Sequence, residues 1–371
     1  MNDITRAGLI FNAASIPLGL FTKLCNNYDP HEIFTGASFL RELGLTDAQA
    51  SRVTDILSRD NWAERELDII TRFGAKFITA ADIDYPAKLL ELKRPPVGLY
   101  VKGKANLSLP SVAIVGTRKP GSYGHTTAGN LARDLAKHGG ITISGGAAGI
   151  DSAAHRGSLS EDGATIAVFG TPIDGVYPSE NRDLFARIIE RGAVISEYPT
   201  DSTGEGWHFP ERNRIIAALS SRVVIVEAGE TSGAMITAKY ARELGRELWA
   251  VPGRITDENS RGTNSLLNHG AKCLWDVGEF VEDFTGRHEQ LELFAEEDPE
   301  EKPEIRQTNT SPAMSDDEKV IYALLQKKGN RLLDELISDS GMDAVEIQSA
   351  LIMLQAEGLV VEALGRYSAT N

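Results

Sequence analysis

The chain has 371 residues, with 38 Lys and Arg against 53 Asp and Glu and a formal net charge of −15. Its length predicts two or three domains, its 42% hydrophobic content supports a filled core, and no run of about 18 apolar residues offers a membrane span. Cys25 and Cys273 lie far apart without metal spacing, and Met1–Thr5 lacks a basic leader, so a cytoplasmic protein with two free thiols is expected.

The acidity is local. Residues 276–319 hold 15 acidic and 4 basic side chains, a balance of −11, whereas residues 111–275 hold 18 and 17, a balance of −1. A basic patch on the middle of the chain is therefore compatible with the acidic total.

Residues 1–75 predict several short helices, broken at Ile33–Ala37 and Leu43–Thr46, with Thr46 capping a helix from Asp47. Such a unit resembles SAM-like or helix-hairpin-helix modules. Residues 76–106, with Phe77-Ile78-Thr79 and a strand through Pro95–Val101, are expected to connect it to the next domain.

From 107 to 285 one pattern recurs four times: a short apolar strand, then a loop rich in Gly and small polar residues. The strands are Val112–Val115, Ile141–Ile143, Ile166–Phe169 and Val223–Val226. Intervening helical stretches predict right-handed crossovers and an α/β, Rossmann-like parallel sheet. All four loops then meet outside the carboxyl ends of the strands, where ligands bind and free backbone amides suit phosphate.

The first loop, Gly116-Thr117-Arg118-Lys119-Pro120-Gly121-Ser122-Tyr123-Gly124, has neither dinucleotide-fingerprint spacing nor a P-loop ending. It offers Arg118, a planar fork for phosphate or base stacking, with Lys119 and Tyr123 nearby. Ser144-Gly145-Gly146 allows close backbone approach, and Asp151 is expected to cap the following helix. His155 reads as structural. Gly170 and Tyr177-Pro178, with Asn181, bring a ring and an amide to the third loop. Phe209, Arg212, Asn213 and Arg214 add cations beside a ring, and Ser232-Gly233 opens the last helix of the set. Cations interleaved with aromatics suit a single strand, charge tracking phosphates and rings stacking on bases. These loops contain no metal-ligand cluster, no Ser/His/Asp set and no carboxylate dyad, so binding without cofactor or catalysis is expected.

Residues 286–313 read as an acidic linker. Residues 314–371 predict helices over Asp316–Gln326, Arg331–Ser338 and Ala344–Glu357 and a terminal hairpin, the pattern of a winged helix. The third helix carries Asp343, Glu346 and Glu357, with Gln348 and Gln355 the candidate base readers; this charge favours protein contact over groove insertion.

Six motifs in order carry a resemblance: Val112–Arg118, Ser144–Asp151, Gly175-Val176-Tyr177-Pro178, Phe209–Ile216, Ser232–Ala238 and Val251-Pro252-Gly253. Together they resemble the DNA-processing protein A family, also called Smf. The resemblance implies a homodimer through the Rossmann-like core that binds single-stranded DNA and loads RecA recombinase onto it during natural transformation. It puts Arg118 at the essential pocket arginine and Gly145-Gly146 at a phosphate-contacting backbone. Many relatives carry a lysine after the Tyr-Pro pair, where this chain has Ser179-Glu180; Lys119, Arg182 or Arg212 are the candidate replacements. An alternative, a nucleotide-cleaving Rossmann-like phosphoribohydrolase, is weakened because Glu227–Gly233 lacks that group's paired glycines and trailing glutamate.

Overall fold

A computed structural model describes residues 2–293, 316–328, 331–342, 347, 350–351, 354, 359–363 and 366–369. They fall into two units, Met1–Glu297 and Asp298–Asn371.

The first unit opens with helices α1 (Asp3–Ala13), α2 (Leu18–Asn27), α3 (Ala37–Leu43), α4 (Asp47–Leu57) and α5 (Trp62–Arg72). Thr46 starts α4 as expected. Its hydroxyl accepts from the Gln49 amide at 3.3 Å, and the Gln49 side chain accepts from the Thr46 amide at 2.9 Å.

These helices are not a detached module. Phe11, Phe21, Leu24 and Leu40 share one hydrophobic cluster with Tyr100, Phe169 and Val194 of the sheet and with Phe185 of a core helix. The segment expected to connect them to the core instead supplies two strands of it, β1 (Lys76–Thr79) and β2 (Gly98–Gly103).

The chain continues as β3 (Ser111–Val115), α6 (Ser122–Lys137), β4 (Ile141–Ser144), α7 (Ile150–Leu159), β5 (Thr165–Phe169) and α8 (Arg182–Arg191). After these come β6 (Ala193–Ser196), α9 (His208–Leu219), β7 (Arg222–Ile225), α10 (Gly233–Glu243) and β8 (Glu247–Ala250). The unit closes with α11 (Glu258–Asn268), β9 (Lys272–Cys273) and α12 (Val277–Leu293). The sheet order is β1-β2-β6-β5-β4-β3-β7-β8-β9. Strands β6 through β9 run parallel, while β1 and β2 pair antiparallel along the β6 edge. The Rossmann-like parallel core is thus present, with β6, β8 and β9 added to the four strands expected from sequence.

Strand β3 lies between β4 and β7, so the chain order reverses there. This switch point is where a crevice opens in such sheets. Every residue of β3, β4 and β5 is buried, because helices cover both faces. Helix α12 runs past the expected end of the core at 285, and the remaining linker residues, 294–313, lie outside the described residues.

The second unit has α13 (Asp316–Lys328), β10 (Arg331–Leu332), α14 (Leu333–Ser340), β11 (Val360–Ala363) and β12 (Arg366–Ala369), with sheet order β10-β12-β11. The expected helix over Arg331–Ser338 thus begins with two strand residues. Most of the expected third helix, including Asp343, Glu346, Gln348, Gln355 and Glu357, lies outside the described residues. Ile347, Ala350, Leu351 and Leu354 are helical and buried at one-face spacing.

Within the first unit, His155 on α7 is fully buried, its Nδ1 2.7 Å from the Thr165 hydroxyl. Burial, with the Arg212 charge, lowers its pKa to about 3 from 6.5. The folded state holds it neutral while the unfolded chain takes a proton, so stability falls as pH drops from 6.5 toward 3. This group contributes a slope of up to about 1.4 kcal/mol per pH unit. Denaturation midpoints of His155→Asn should therefore decline less steeply with acid than those of the parent; equal slopes would remove His155 from the acid response.

Candidate nucleic-acid interface

At the switch point β3 ends and the Gly116–Gly121 loop is pinned on both sides. The Thr117 amide donates to the Glu227 carbonyl at 2.7 Å, and the Thr117 carbonyl accepts from Ile150 at 3.2 Å. Gly149, at φ 82°, touches this loop so closely that a Cβ would lie 2.4 Å from the Thr117 oxygen. No other residue fits there.

Asp151 does not cap α7; Gly149 occupies the cap position without a side-chain bond. The Asp151 carboxylate turns back to accept from the amides of Gly145 (3.1 Å) and Ala147 (3.3 Å). Arg212 completes the arrangement from α9. Its Nη1 donates to the Gly145 carbonyl at 2.7 Å and to the Val168 carbonyl, joining the ends of β4 and β5. Burial lowers the Arg212 pKa to about 10, against the opposing pull of Asp151. Burial likewise raises the Asp151 carboxyl above its usual range, with Arg212 acting the other way.

Several residues expected to contact ligand therefore face inward. Arg212 is 4% exposed and bound to carbonyls, which removes it as a replacement for the missing lysine. Arg214 is gripped by Glu197 at 2.6 Å and Glu211 at 3.1 Å, outside the cleft. Ser144 donates its hydroxyl to the Ile114 carbonyl at 2.7 Å, inside the sheet. Asn181 is buried and donates to the Gly146 carbonyl at 3.0 Å, so it holds the glycine loop. The common cause is backbone polarity: loop carbonyls brought together at a buried sheet edge need donors, and these side chains supply them.

What stays open is a cleft of 620 Å³ lined by Gly116, Arg118, Tyr177, Phe209, Asn213, Ser232 and Gly233, with Asp151 and Arg212 in its floor. The Arg118 guanidinium lies 5.6 Å from the Phe209 ring centroid, and Tyr177 lies 5.2 Å from that ring at a tilt of 49°. Tyr177 is half exposed. Gly170 admits Phe209 to this place, since a Cβ there would stand 2.9 Å from the ring. Asn213 donates to the Gly233 carbonyl at 3.2 Å, and Ser232 caps α10. Pro178 adjoins Tyr177, half buried, and Lys119 is exposed on the same loop as Arg118.

Tyr123 is displaced from this group. Its hydroxyl donates to the Pro252 carbonyl at 3.2 Å, and it lines a neighbouring cleft of 660 Å³ with Arg254 and Glu227. Glu227 itself accepts from the amides of Gly121 (2.9 Å) and Gly124 (3.0 Å), serving the start of α6. Sequence reasoning missed Ile216, Ile236 and Thr237, which also line the main cleft. For Ile216 a signal existed: Phe209, Arg212, Asn213 and Ile216 share one helical face, and Arg214 does not.

The comparisons fit this geometry. Residues 76–285 match the family model described as DNA recombination-mediator protein A. The chain belongs to that family. A putative DNA processing protein DprA of Mycobacterium tuberculosis is 33% identical over 356 residues, 89% of each chain. The X-ray structure of DNA processing protein A from Streptococcus pneumoniae aligns with TM-score 0.65 and 30% identity, over 76% of this chain and 98% of that one. DNA processing protein A of Helicobacter pylori, described for its single-stranded DNA binding mode, aligns with TM-score 0.53 and 34% identity, over 57% and 97%.

The assignment of Arg212 to the scaffold is testable without a ligand. Arg212→Ala leaves two carbonyls and the Asp151 carboxylate without their buried partner, a loss of about 3–5 kcal/mol. A chemical-denaturation midpoint unchanged from the parent would return Arg212 to the ligand.

Proposed function

We propose that this chain grips single-stranded DNA in the cleft at the switch point, protects incoming strands and loads RecA recombinase onto them during natural transformation and recombination. The observation that carries the DNA reading is the open grouping of Arg118 with Phe209 and Tyr177: one cation without an ion-pair partner among the described residues, beside two rings. A phosphate on Arg118 and bases against the rings satisfy both ends of a nucleotide. The family and its Helicobacter pylori member's single-stranded DNA binding support the same ligand.

With Arg212 and Arg214 committed inward, the extra phosphate charge falls to Lys119 and Arg182, both exposed. The role is non-catalytic. Asp151, the carboxylate that lines the cleft, holds two backbone amides and is not free to move protons. The loader step rests on the family resemblance alone, and displacement of a strand-coating protein by the recombinase is its assay; no stimulation by this chain would end that part.

We further infer a cytoplasmic homodimer built through the core, with the C-terminal unit as a winged helix making protein contacts. Met235, Ile236, Tyr240 and Leu244 around α10 are half buried, so the apolar surface left for a partner there is narrower than sequence suggested. Sedimentation of the full chain decides it: a monomer at tens of micromolar would refute the dimer.

Single-strand affinity should exceed duplex affinity and fall linearly in log–log form with salt, by about 0.7 per phosphate neutralised. Arg118→Ala should cost about 1.5–3 kcal/mol of binding while the melting temperature stays put. Equal duplex binding, or an Arg118→Ala variant as tight as the parent, would count against the cleft.

A further inference from the structure

Residues 197–207 lead from β6 to α9 and reach the cleft wall at Gly206, with Trp207 58% exposed beside it. Thr203–Gly206 is exposed along its length and includes two glycines. Little in that stretch fixes its own position. Its anchor lies elsewhere in sequence, on the N-terminal helices.

Glu66 on α5 is 2% exposed. One of its oxygens accepts from the Thr200 amide at 2.8 Å and the other from the Thr200 hydroxyl. Next to it, Asp201 accepts from Arg59 and from the Trp62 indole, each at 2.9 Å. Asn12 on α1 donates to the Glu197 carbonyl at 2.7 Å. The grip passes inward through Tyr198, which stacks on His208 at 3.8 Å and 17° and donates to the His208 carbonyl at 3.2 Å. Phe209 is the next residue.

A buried carboxylate is a costly way to fill space, and an apolar side chain would pack there with less penalty. What a carboxylate adds is direction: two acceptors that fix one residue, Thr200, in one orientation. We propose that Glu66 is a positioning residue for single-strand binding, which with Trp62 holds the Thr200–Asp201 turn and so sets Phe209 against the strand. This role rests on the DNA reading above. It makes the helical module part of the binding site without touching DNA.

Loosening the wall lowers the fraction of molecules with Phe209 in place, and apparent affinity falls by that fraction. The test uses the full chain, a fluorescent oligothymidylate and two variants, Glu66→Gln and Trp62→Phe, the second removing one hydrogen bond while keeping most of the packing. Each should weaken binding about three- to tenfold, chiefly through faster dissociation. In a Phe209→Ala background the same substitutions should add nothing. Arg72→Ala, which breaks only an exposed pair with Asp68 on the same helix, should leave affinity unchanged.

A structural role alone would lower the melting temperature and give losses that add to that of Phe209→Ala. Additive losses, or unchanged affinity in both variants, would overturn the proposal while the DNA reading stood. A parent chain that does not bind the oligonucleotide would bring down both.

Discussion

One edge of the sheet collects the ends of several parallel strands, and a buried guanidinium closes it. Arg212 reaches from α9 to the carbonyls of Gly145 and Val168, and Asp151 answers with its carboxylate on the Gly145 and Ala147 amides. Without that exchange the turn after β4 would carry unpaired polar backbone in a buried place, at about 1–3 kcal/mol for each group. With it, Gly149 can touch the Thr117 carbonyl and seat the Arg118 loop. The exposed cation and rings of the cleft depend on this hidden pair, much as metal ligands depend on the partners behind them.

The division of labour between arginines was not legible from residue type. Phe209-Pro210-Glu211-Arg212-Asn213-Arg214 reads as cations beside a ring, yet the two arginines are buried in the scaffold and, of the three, Arg118 alone is exposed at the cleft. Helical periodicity separates Arg214 from the cleft face. It does not tell that Arg212, on that face, will meet carbonyls before ligand, because that depends on how the second and third loops converge. The same holds for Asp151: a carboxylate in the first helical turn is an ordinary cap, and only the fold back of Gly145–Ala147 gives it a different task.

At the level of fold, the strongest signals were the apolar runs that lead into glycine-rich loops. Strands β3, β4, β5 and β7, each followed by small residues, mark the core and its binding edge. Strand β6 is as short and as buried as β4 but leads into Glu197-Tyr198-Pro199 and not into small residues, β8 alternates half-buried with buried positions, and β9 is two exposed residues. The boundary at residue 75 coincides with the start of the family model, but an all-helical composition says nothing about what the helices pack against. Here Phe11, Phe21 and Leu24 join Phe169 and Phe185 in a single cluster. The family model, beginning at residue 76, stops short of the helices that complete that cluster.

On the proposed function, a single strand lies across Phe209 and Tyr177 with its phosphate on Arg118. Photo-crosslinking measures this directly: a single-stranded oligonucleotide carrying 5-iododeoxyuridine is irradiated with the full chain, and the adducts are mapped by mass spectrometry. Adducts on Phe209 or Tyr177, lost on Arg118→Ala, are the predicted result. Adducts confined to residues 298–371, or to the opposite edge of the sheet, would contradict the account.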